Sequence, residues 1–304
     1  MRIGLVTARP DHPLLAGATA LLTPRHEVRW LDPERGGAPD GDGPPADVYL
    51  LKARTPAALA LARRLEERGA PVLNTAAATG LCQDRVAMAE SARGAGLPFV
   101  ATRGVPSLAR LAAGPALSYP VVVKSRHSRR GDLVARADGP EALRALLPRW
   151  RDEPVVVQPF TENSGWDHKL WVIGGRLFAA LRRSELAEDA APGDEAPRRG
   201  GPLGPGELPP GWAALALRTG EVFALDVYGV DLVDAGGGTP RIVDVNAFPG
   251  ARGQAGAPEA LAELALRAAA EGARGARSWR RAHRAHRVVP GPDAAWGRTP
   301  TLSE

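Results

Sequence analysis

The chain has 304 residues, with 39 lysine and arginine residues against 34 acidic ones and a net charge of +5. Its single cysteine excludes an intramolecular disulfide and a cysteine-rich zinc site. It lacks the run of about 18 apolar residues that a membrane-spanning helix needs, and its first apolar run is too short for a signal peptide. We therefore expect a cytoplasmic protein with no membrane partner.

The excess of basic over acidic residues favours an anionic ligand such as a nucleotide or a phosphate. Habitual use of arginine in a GC-rich coding background would explain the same balance. Part of the excess lies in a basic run from Arg274 to Arg287, which raises nucleic acid as a third interpretation. We do not expect a nucleic acid partner, because such runs are usually solvated and disordered.

Residues 1–78 are predicted to form a small α/β domain. Its predicted strands are residues 2–6, 27–31, 47–52 and 71–74. Its predicted helices are residues 14–22 and 56–68, and a loop rich in glycine and proline covers residues 36–45. Alternation of strands and helices predicts a parallel sheet covered by helices.

Residues 79–155 are predicted to form a second, compact unit of strands and helices. Its predicted elements are a helix at 84–96, strands at 119–125 and 132–137, and a helix that begins at 139. Asp84 is a good N-cap for the first of these helices. A further strand at 155–160 leads out of this unit.

Residues 156–272 are predicted to form a larger unit. Two alternating runs within 168–183 meet at Gly174-Gly175, which predicts a β-hairpin. Its other predicted elements are a loop without secondary structure at 185–210, a helix at 211–224, strands at 228–234 and 241–247, and a helix at 257–272. We expect the basic residues 273–304 to form a flexible tail.

Three oxygen-bearing side chains occupy the last two predicted strands. Asp244 and Asn246 share one face of their strand because successive side chains alternate. A hairpin would place Asp231 on the neighbouring strand, near the same face. Strand interiors disfavour Asp and Asn, and two carboxylates with an amide form the all-oxygen ligand set that Mg²⁺ prefers. The alternative is that these residues belong to an edge strand that faces water.

Several cations follow or occupy other predicted strands. Lys124 ends a buried strand, where it could hold a phosphate as a point charge. The loop after it contains Arg126, His127 and Arg130 around one glycine, an arrangement that also suits a solvated turn. Lys169 and Arg182 lie on opposite arms of the hairpin, and either could simply be exposed.

The order of these elements resembles that of the ATP-grasp superfamily. The matching segments are Asp84-Arg85, VVVKS (121–125), VVVQPF (155–160), Asp-His-Lys (167–169), GVDLV (229–233) and DVNAFPG (244–250). The resemblance covers residues 80–255, and residues 1–78 are similar to the pre-grasp domain of the family. It implies an α/β protein with an ATP-grasp fold of a small lobe (79–155) and a large lobe (156–272).

The family resemblance assigns roles by position. It implies ATP-binding residues Arg85, Lys124, Gln158, Pro159, Phe160 and Lys169. It implies catalytic residues Lys124, Lys169 and Arg182. It implies Mg²⁺ ligands Asp231, Asp244 and Asn246, with Mn²⁺ as an alternative ion. Substrate contacts are expected from Arg126, His127, Arg130, Lys52 and Gly250. Two positions depart from the family pattern: lysine is commoner than Arg85, and glutamate is commoner than Asp244.

Two branches of the superfamily fit the sequence. The overall layout resembles the RimK-type ligases, which activate a carboxylate as an acyl phosphate and join it to an amine. DVNAFPG (244–250), KSRHS (124–128) and LLKAR (50–54) are more similar to the inositol polyphosphate kinases, which phosphorylate a hydroxyl. A non-catalytic nucleotide-binding module with a basic tail is the third hypothesis. We favour the ligase, acting on a small-molecule or peptide substrate, in a protein that could be a homo-oligomer.

Overall fold

The structure, a computed structural model, describes residues 1–35, 45–187, 199–204 and 206–284. It contains three sheets, which follow one another along the chain in the order that the sequence predicts. Helices from the first and last parts of the chain pack in one core. Within the described residues, no helix is both long and apolar enough to cross a membrane. Most of the predicted loop at 36–45, and the end of the tail at 285–304, lie outside the described residues.

The first sheet is parallel, as the sequence predicts. It contains β1 (Arg2–Val6), β2 (Glu27–Leu31), β3 (Val48–Leu51) and β4 (Val72–Leu73), in the spatial order β2-β1-β3-β4. The helices of this segment are α1 (Pro13–Leu22), α2 (Pro56–Glu67) and α3 (Ala76–Leu81). Helix α2 begins where Thr55 caps the backbone N–H of Ala58 and Pro56 occupies the first turn.

The second sheet is antiparallel and comes mostly from the predicted small lobe (79–155), although its last strand in the chain extends beyond that boundary. It contains β5 (Arg103–Val105), β6 (Val121–Ser125), β7 (Val134–Ala137) and β8 (Val155–Pro159), in the order β5-β8-β6-β7. Its helices are α4 (Arg85–Gly94), α5 (Leu108–Ala113), α6 (Pro140–Ala145) and α7 (Leu147–Trp150). Asp84 caps α4 as predicted, whereas β5 and α5 were missed because they are short and follow no long periodic run.

The third sheet is also antiparallel. It contains β9 (Trp166–Ile173), β10 (Arg176–Arg183), β11 (Arg199–Leu203), β12 (Val227–Asp234) and β13 (Pro240–Ala247), in the order β11-β10-β9-β12-β13. Helices α8 (Trp212–Phe223) and α9 (Ala257–Arg284) complete this part of the chain. The predicted hairpin is confirmed, since Gly174 and Gly175 adopt the positive φ angles of 58° and 89° that its two-residue turn requires.

Two predictions in this segment need correction. The loop predicted at 185–210 contains β11, which pairs with β10, while residues 188–198 and 205 lie outside the described part. The final helix does not end at residue 272 but continues to Arg284, with a kink at Gly272. Periodicity missed both features because β11 is rich in glycine and the basic residues after 272 resemble a solvated tail.

The first sheet and the third share one hydrophobic core. Leu15 of α1 and Leu50 of β3 are fully buried in the same cluster as Leu261 of α9. Asn74 adds a polar link, because its buried amide accepts from the backbone N–H groups of Asp226 and Val227 and donates to the carbonyl of Val227. The predicted boundary at residue 78 therefore separates sheets that are packed together.

Candidate active site

A cavity of about 200 Å³ is lined by both antiparallel sheets. The small lobe contributes Val122, Lys124 and Val134, and the segment from Gln158 to Thr161 connects the two lobes along one wall. The third sheet contributes the charged residues Asp167, Lys169, Arg182, Asp231 and Asp244. Every residue predicted as catalytic therefore lines one cavity.

The charged wall is a row of side chains across three neighbouring strands. Lys169 of β9 lies directly opposite Asp231 of β12, which lies directly opposite Asp244 of β13. Directly opposed residues of antiparallel strands share a face. The Lys169 ammonium is 2.6 Å from the Asp231 carboxylate. The predicted proximity of Asp231 and Asp244 is thus present in the fold.

Lys124 reaches the same wall from the opposite lobe. It is 6% exposed, and its Nζ donates to the carbonyl oxygen of Val243 at 2.9 Å. A bulge at this point places two residues of β13 against one of β12, because Asp231 faces Asp244 whereas Leu232 faces Ile242. Bulges locally interrupt the hydrogen-bond ladder. The irregularity brings a carbonyl and a carboxylate of adjacent residues, Val243 and Asp244, to one cavity.

Arg85 contacts the acidic wall from the side that does not line the cavity. Its guanidinium donates to the Asp132 carboxylate and to the carbonyl of Ser125, both at 2.7 Å, and lies 3.3 Å from Asp244. Arg85 is 5% exposed and is not among the cavity-lining residues. The expected contact between Arg85 and ATP phosphates stays a prediction. The ion pairs of Arg85 with Asp132 and Asp244 do not favour it, because they already occupy the guanidinium. Asp132, its main partner, was missed because 47 residues separate the two.

Part of the cavity lining is apolar. Val100, Val122 and Val233 contribute to it together with Pro159 and Phe160. Apolar walls of this kind suit the flat face of a base. The buried Gln158 donates its amide to Thr102 Oγ1 at 2.9 Å, so its predicted contact with adenine also remains a prediction.

Electrostatics tie the lysines to the acidic wall. Burial lowers the pKa of Lys124, although the carboxylate of Asp244 opposes the shift. Burial acts in the same direction on Lys169, but the carboxylates of Asp231 and Asp167 outweigh it and raise its pKa. Burial raises the pKa of Asp231, a shift that Lys169 opposes and Asp244 reinforces. The cluster therefore carries both signs of charge in a poorly solvated place.

The acidic pair fits a divalent cation. Asp231 and Asp244 are opposed across the ladder, so their like charges repel. Lys169 and Arg85 offset part of this repulsion, and a divalent cation near both carboxylates would offset more. Asn246 lies two residues beyond Asp244, opposite Gly229, and is not a cavity-lining residue. The described residues hold no group of three or more His, Cys, Asp or Glu side chains suited to a metal. Two carboxylates with water and phosphate oxygens are nevertheless the usual environment of Mg²⁺.

The basic loop after Lys124 lies outside this cavity. Arg126 pairs with both carboxylate oxygens of Asp84, while His127 and Arg130 are exposed. These three residues are not among the cavity-lining residues, so their predicted substrate contacts have no support in this geometry. Three further residues, Asn163, Ser184 and Glu185, line the cavity from irregular segments, and no local pattern marked them as site residues.

The two remaining predicted substrate contacts lie at a different place. Lys52 follows β3, and its Nζ donates to the carbonyl of Phe248 at 2.9 Å. Gly250 lies against His12, since a Cβ at this glycine would be 3.1 Å from His12 Nε2. Neither residue is a cavity-lining residue.

Comparisons with known proteins agree with this architecture. A sequence model of the RimK-like ATP-grasp domain matches residues 108–258. The probable alpha-L-glutamate ligase of Thioalkalivibrio sulfidiphilus is 29% identical over 199 residues, which are 64% of this chain and 65% of that protein. The chain thus spans about two thirds of the length of this relative.

Solved structures show the same fold. A RimK domain ATP-grasp protein from Sphaerobacter thermophilus superposes with a TM-score of 0.65 at 24% identity, over 88% of this chain and 100% of that one. The ATP-grasp ligase PsnB, complexed with a minimal precursor, Mg and ADP, superposes with a TM-score of 0.61 at 17% identity, over 88% and 97% of the two chains. Residues 108–258 therefore match the RimK-like ATP-grasp domain, and the chain has the fold of these ATP-grasp structures.

Proposed function

We propose that this protein is an ATP-dependent carboxylate–amine ligase of the RimK type. The observation that carries the proposal is the charged row of Lys169, Asp231 and Asp244, which meets Lys124 across one cavity between two lobes. The family match supports a ligase rather than a kinase. L-Glutamate is the first amine to test, because the relative from Thioalkalivibrio sulfidiphilus is named an alpha-L-glutamate ligase.

The proposed reaction has two steps. A carboxylate oxygen of the substrate attacks the γ-phosphorus of ATP, the bond to the bridging oxygen breaks, and ADP leaves. An amine nitrogen then attacks the carbonyl carbon of the resulting acyl phosphate, inorganic phosphate leaves, and the nitrogen loses a proton. Positioning and charge neutralisation account for catalysis of this kind, so a covalent nucleophile of the protein is not required.

In this proposal, each cation has a distinct position around the phosphates. Lys124 holds them from the small lobe, and Lys169 and Arg182 hold them from the third sheet, as their positions around the cavity allow. Asp231 and Asp244, with Asn246, would hold Mg²⁺. Bound there, the ion would neutralise phosphate charge.

An acyl phosphate must be kept from water. Ser184, Glu185 and Leu186 form one edge of the cavity, and Glu185 pairs with Arg182. Glu185 and Leu186 begin the segment predicted as a loop at 185–210, of which residues 188–198 and 205 lie outside the described part. We propose that this edge covers the reacting groups.

The test is a trapping assay. Protein, MgATP and hydroxylamine are incubated with candidate acids, and hydroxamate and ADP are measured together. The ligase predicts hydroxamate in step with ADP, and amide instead when the correct amine replaces hydroxylamine. ADP with a phosphorylated polyol and no hydroxamate would identify the kinase, and nucleotide binding without turnover would identify the non-catalytic module.

The expected surroundings of this activity remain predictions. We propose a small-molecule or peptide substrate in the cytoplasm, without a nucleic acid partner. A homo-oligomer also stays a prediction, which the mass of the purified protein in solution would test.

A further inference from the structure

Five basic residues gather away from the cavity described above. Arg9 and His12 lie in the loop after β1, Lys52 and Arg54 follow β3, and Arg252 follows β13. We call these five residues the switch-point cluster. The cluster lies apart from the groups that would react, so any part of a substrate that it contacts is a part that does not react.

The cluster lies at the point where the strand order of the first sheet reverses. β1 pairs with β2 on one side and with β3 on the other, all parallel. The chain therefore leaves β1 for one neighbour and returns to the opposite side of β1 two strands later. In open parallel sheets, such a switch point forms a crevice beyond the carboxyl ends of the strands, and ligands bind there. The loops that carry four of the five basic residues leave those two carboxyl ends.

The end of β13 closes the crevice. Lys52 donates to the carbonyl of Phe248, and its Nζ lies 5.9 Å from the centre of that ring. A Cβ at Gly250 would lie 3.1 Å from His12 Nε2 and 3.6 Å from Arg252 Cγ. Gly250 thus lies close to both His12 and Arg252, so residues of the first sheet and of the segment after β13 meet here.

The charge of the cluster is not compensated by the described residues. Among the ion pairs of the described residues, one involves the cluster, between Arg9 and the exposed Asp11 at 3.5 Å. Across the described ranges, no carboxylate pairs with Lys52, Arg54 or Arg252. Burial, followed by Arg54 and Arg252, lowers the pKa of Lys52 to about 8. These cations repel one another, and an anion among them would relieve the repulsion.

The closing loop is also strained. Phe248 and Ala251 adopt φ angles of 47° and 41°, values that residues other than glycine rarely take. Strain of this kind persists only where the surroundings enforce it, and it is concentrated at functional sites. Here the Lys52 bond to Phe248 is one of the contacts that hold the loop.

We propose that the switch-point cluster binds a side-chain carboxylate or a phosphate of the substrate, a group that takes no part in the reaction. The inference rests on the proposed ligase, whose substrate would extend from the cavity to the crevice. Phe248 lies four residues beyond Asp244, just after β13, so at most roughly 13 Å of chain separates them. An acidic amino acid or a short acidic peptide would span the part of this interval that the side chains at its two ends do not fill.

Calorimetry on the full chain tests this site directly. The protein is loaded with MgADP, and L-glutamate, its uncharged isostere L-glutamine and inorganic phosphate are titrated in turn. Variants are Arg252→Gln, which removes an exposed charge, and Lys52→Met. Arg63→Gln, an exposed charge on α2 outside the cluster, is the matched control.

We expect the wild type to bind L-glutamate at least about tenfold more tightly than L-glutamine, or to bind phosphate if the acidic group is a phosphate. Arg252→Gln and Lys52→Met should remove this charge preference, whereas Arg63→Gln should retain it. The affinity for MgADP should stay within about twofold in all variants, because the cluster does not line the nucleotide cavity.

Equal affinity for glutamate and glutamine, with no phosphate binding, would overturn the proposal. A charge preference that survives both Arg252→Gln and Lys52→Met would overturn it too. A wild type that neither binds MgADP nor yields hydroxamate contradicts the ligase instead. The two failures can be told apart because the anion titrations are repeated without nucleotide.

Discussion

At the residue scale, the cavity holds its charges in pairs. Lys169 is paired with Asp231, and Arg182 with Glu185, whereas Lys124 donates to a carbonyl oxygen. A carbonyl does not neutralise an ammonium as a carboxylate does. We infer that Lys124 presents more of its charge to an incoming phosphate than the other two cations.

Replacing Lys124 by methionine should therefore slow the reaction strongly. Loss of one preorganised electrostatic contact typically lowers kcat by ~10²–10³, and we expect a loss of that size. ADP release under saturating MgATP measures it, and circular dichroism checks that the variant is folded. Near-normal turnover of folded Lys124→Met would contradict the role of this lysine.

Asp226 gives a pH-dependent stability that is separate from catalysis. Burial raises its pKa to about 6, a shift that Arg267 opposes and Glu271 reinforces. An acid whose pKa is raised in the folded state binds more protons there than in the unfolded chain, so stability falls as pH rises from about 4 to about 6.

Asp226→Asn should remove this dependence. At pH 7 we expect the variant to be more stable than the wild type by about 1 kcal/mol, a value reduced for partial exposure. Near pH 4 the difference should shrink, because the wild-type side chain is then protonated in the folded state and about half protonated in the unfolded chain. Urea unfolding at both pH values measures it, and a difference that grows towards pH 4 would refute the assignment.

At the element scale, one polar side chain links the residue after β4 to the start of β12. Asn74 is fully buried and makes three hydrogen bonds to the backbone of Asp226 and Val227. Because the partners belong to the start of β12, the amide fixes the first sheet against the third. Helix α9 secures the same junction through apolar contacts.

Asn74→Ala should weaken this junction. The substitution leaves buried backbone groups without partners, at a cost of about 1–3 kcal/mol for each group that water does not reach. We expect a total loss of about 2–4 kcal/mol in the free energy of unfolding by urea. Asn163→Ala, at a partly buried loop position, is the control, and a smaller loss in Asn74→Ala than in Asn163→Ala would contradict the prediction.

At the scale of the whole molecule, the candidate active site belongs to neither antiparallel sheet alone. Lys124 and the acidic row come from different sheets, and the carbonyl of Val243 joins them. A nucleotide that contacts both lobes binds the folded state and not the unfolded chain. Its binding energy is therefore added to the stability of the fold.

MgATP should raise the melting temperature. At a hundred times its Kd, it adds about 2.7 kcal/mol, which corresponds to a rise in Tm of roughly 5–10 °C. The rise should be smaller with EDTA in place of Mg²⁺, because the acidic row then repels the phosphates. Equal shifts with and without the metal would argue against Asp231 and Asp244 as its ligands.

The sequence by itself determined the order and type of most elements. The hairpin at β9 and β10, the strands β12 and β13 and the cap of α4 at Asp84 follow from local periodicity and turn chemistry, which act between neighbours in the chain. The shared face of Asp244 and Asn246 follows from strand geometry alone. The approach of Asp231 follows from the short glycine turn that connects its strand to theirs.

Only the tertiary structure decided which charges meet. Arg85 finds Asp132 and Asp244 across 47 and 159 residues, and Lys52 finds Phe248 across 196. The bulge that presents Val243 to Lys124 also depends on sheet pairing. No local pattern encodes such contacts, because they arise when separate sheets pack and buried ions must then find partners. For that reason the kinds of chemical group could be read from the chain, whereas their pairing required the fold.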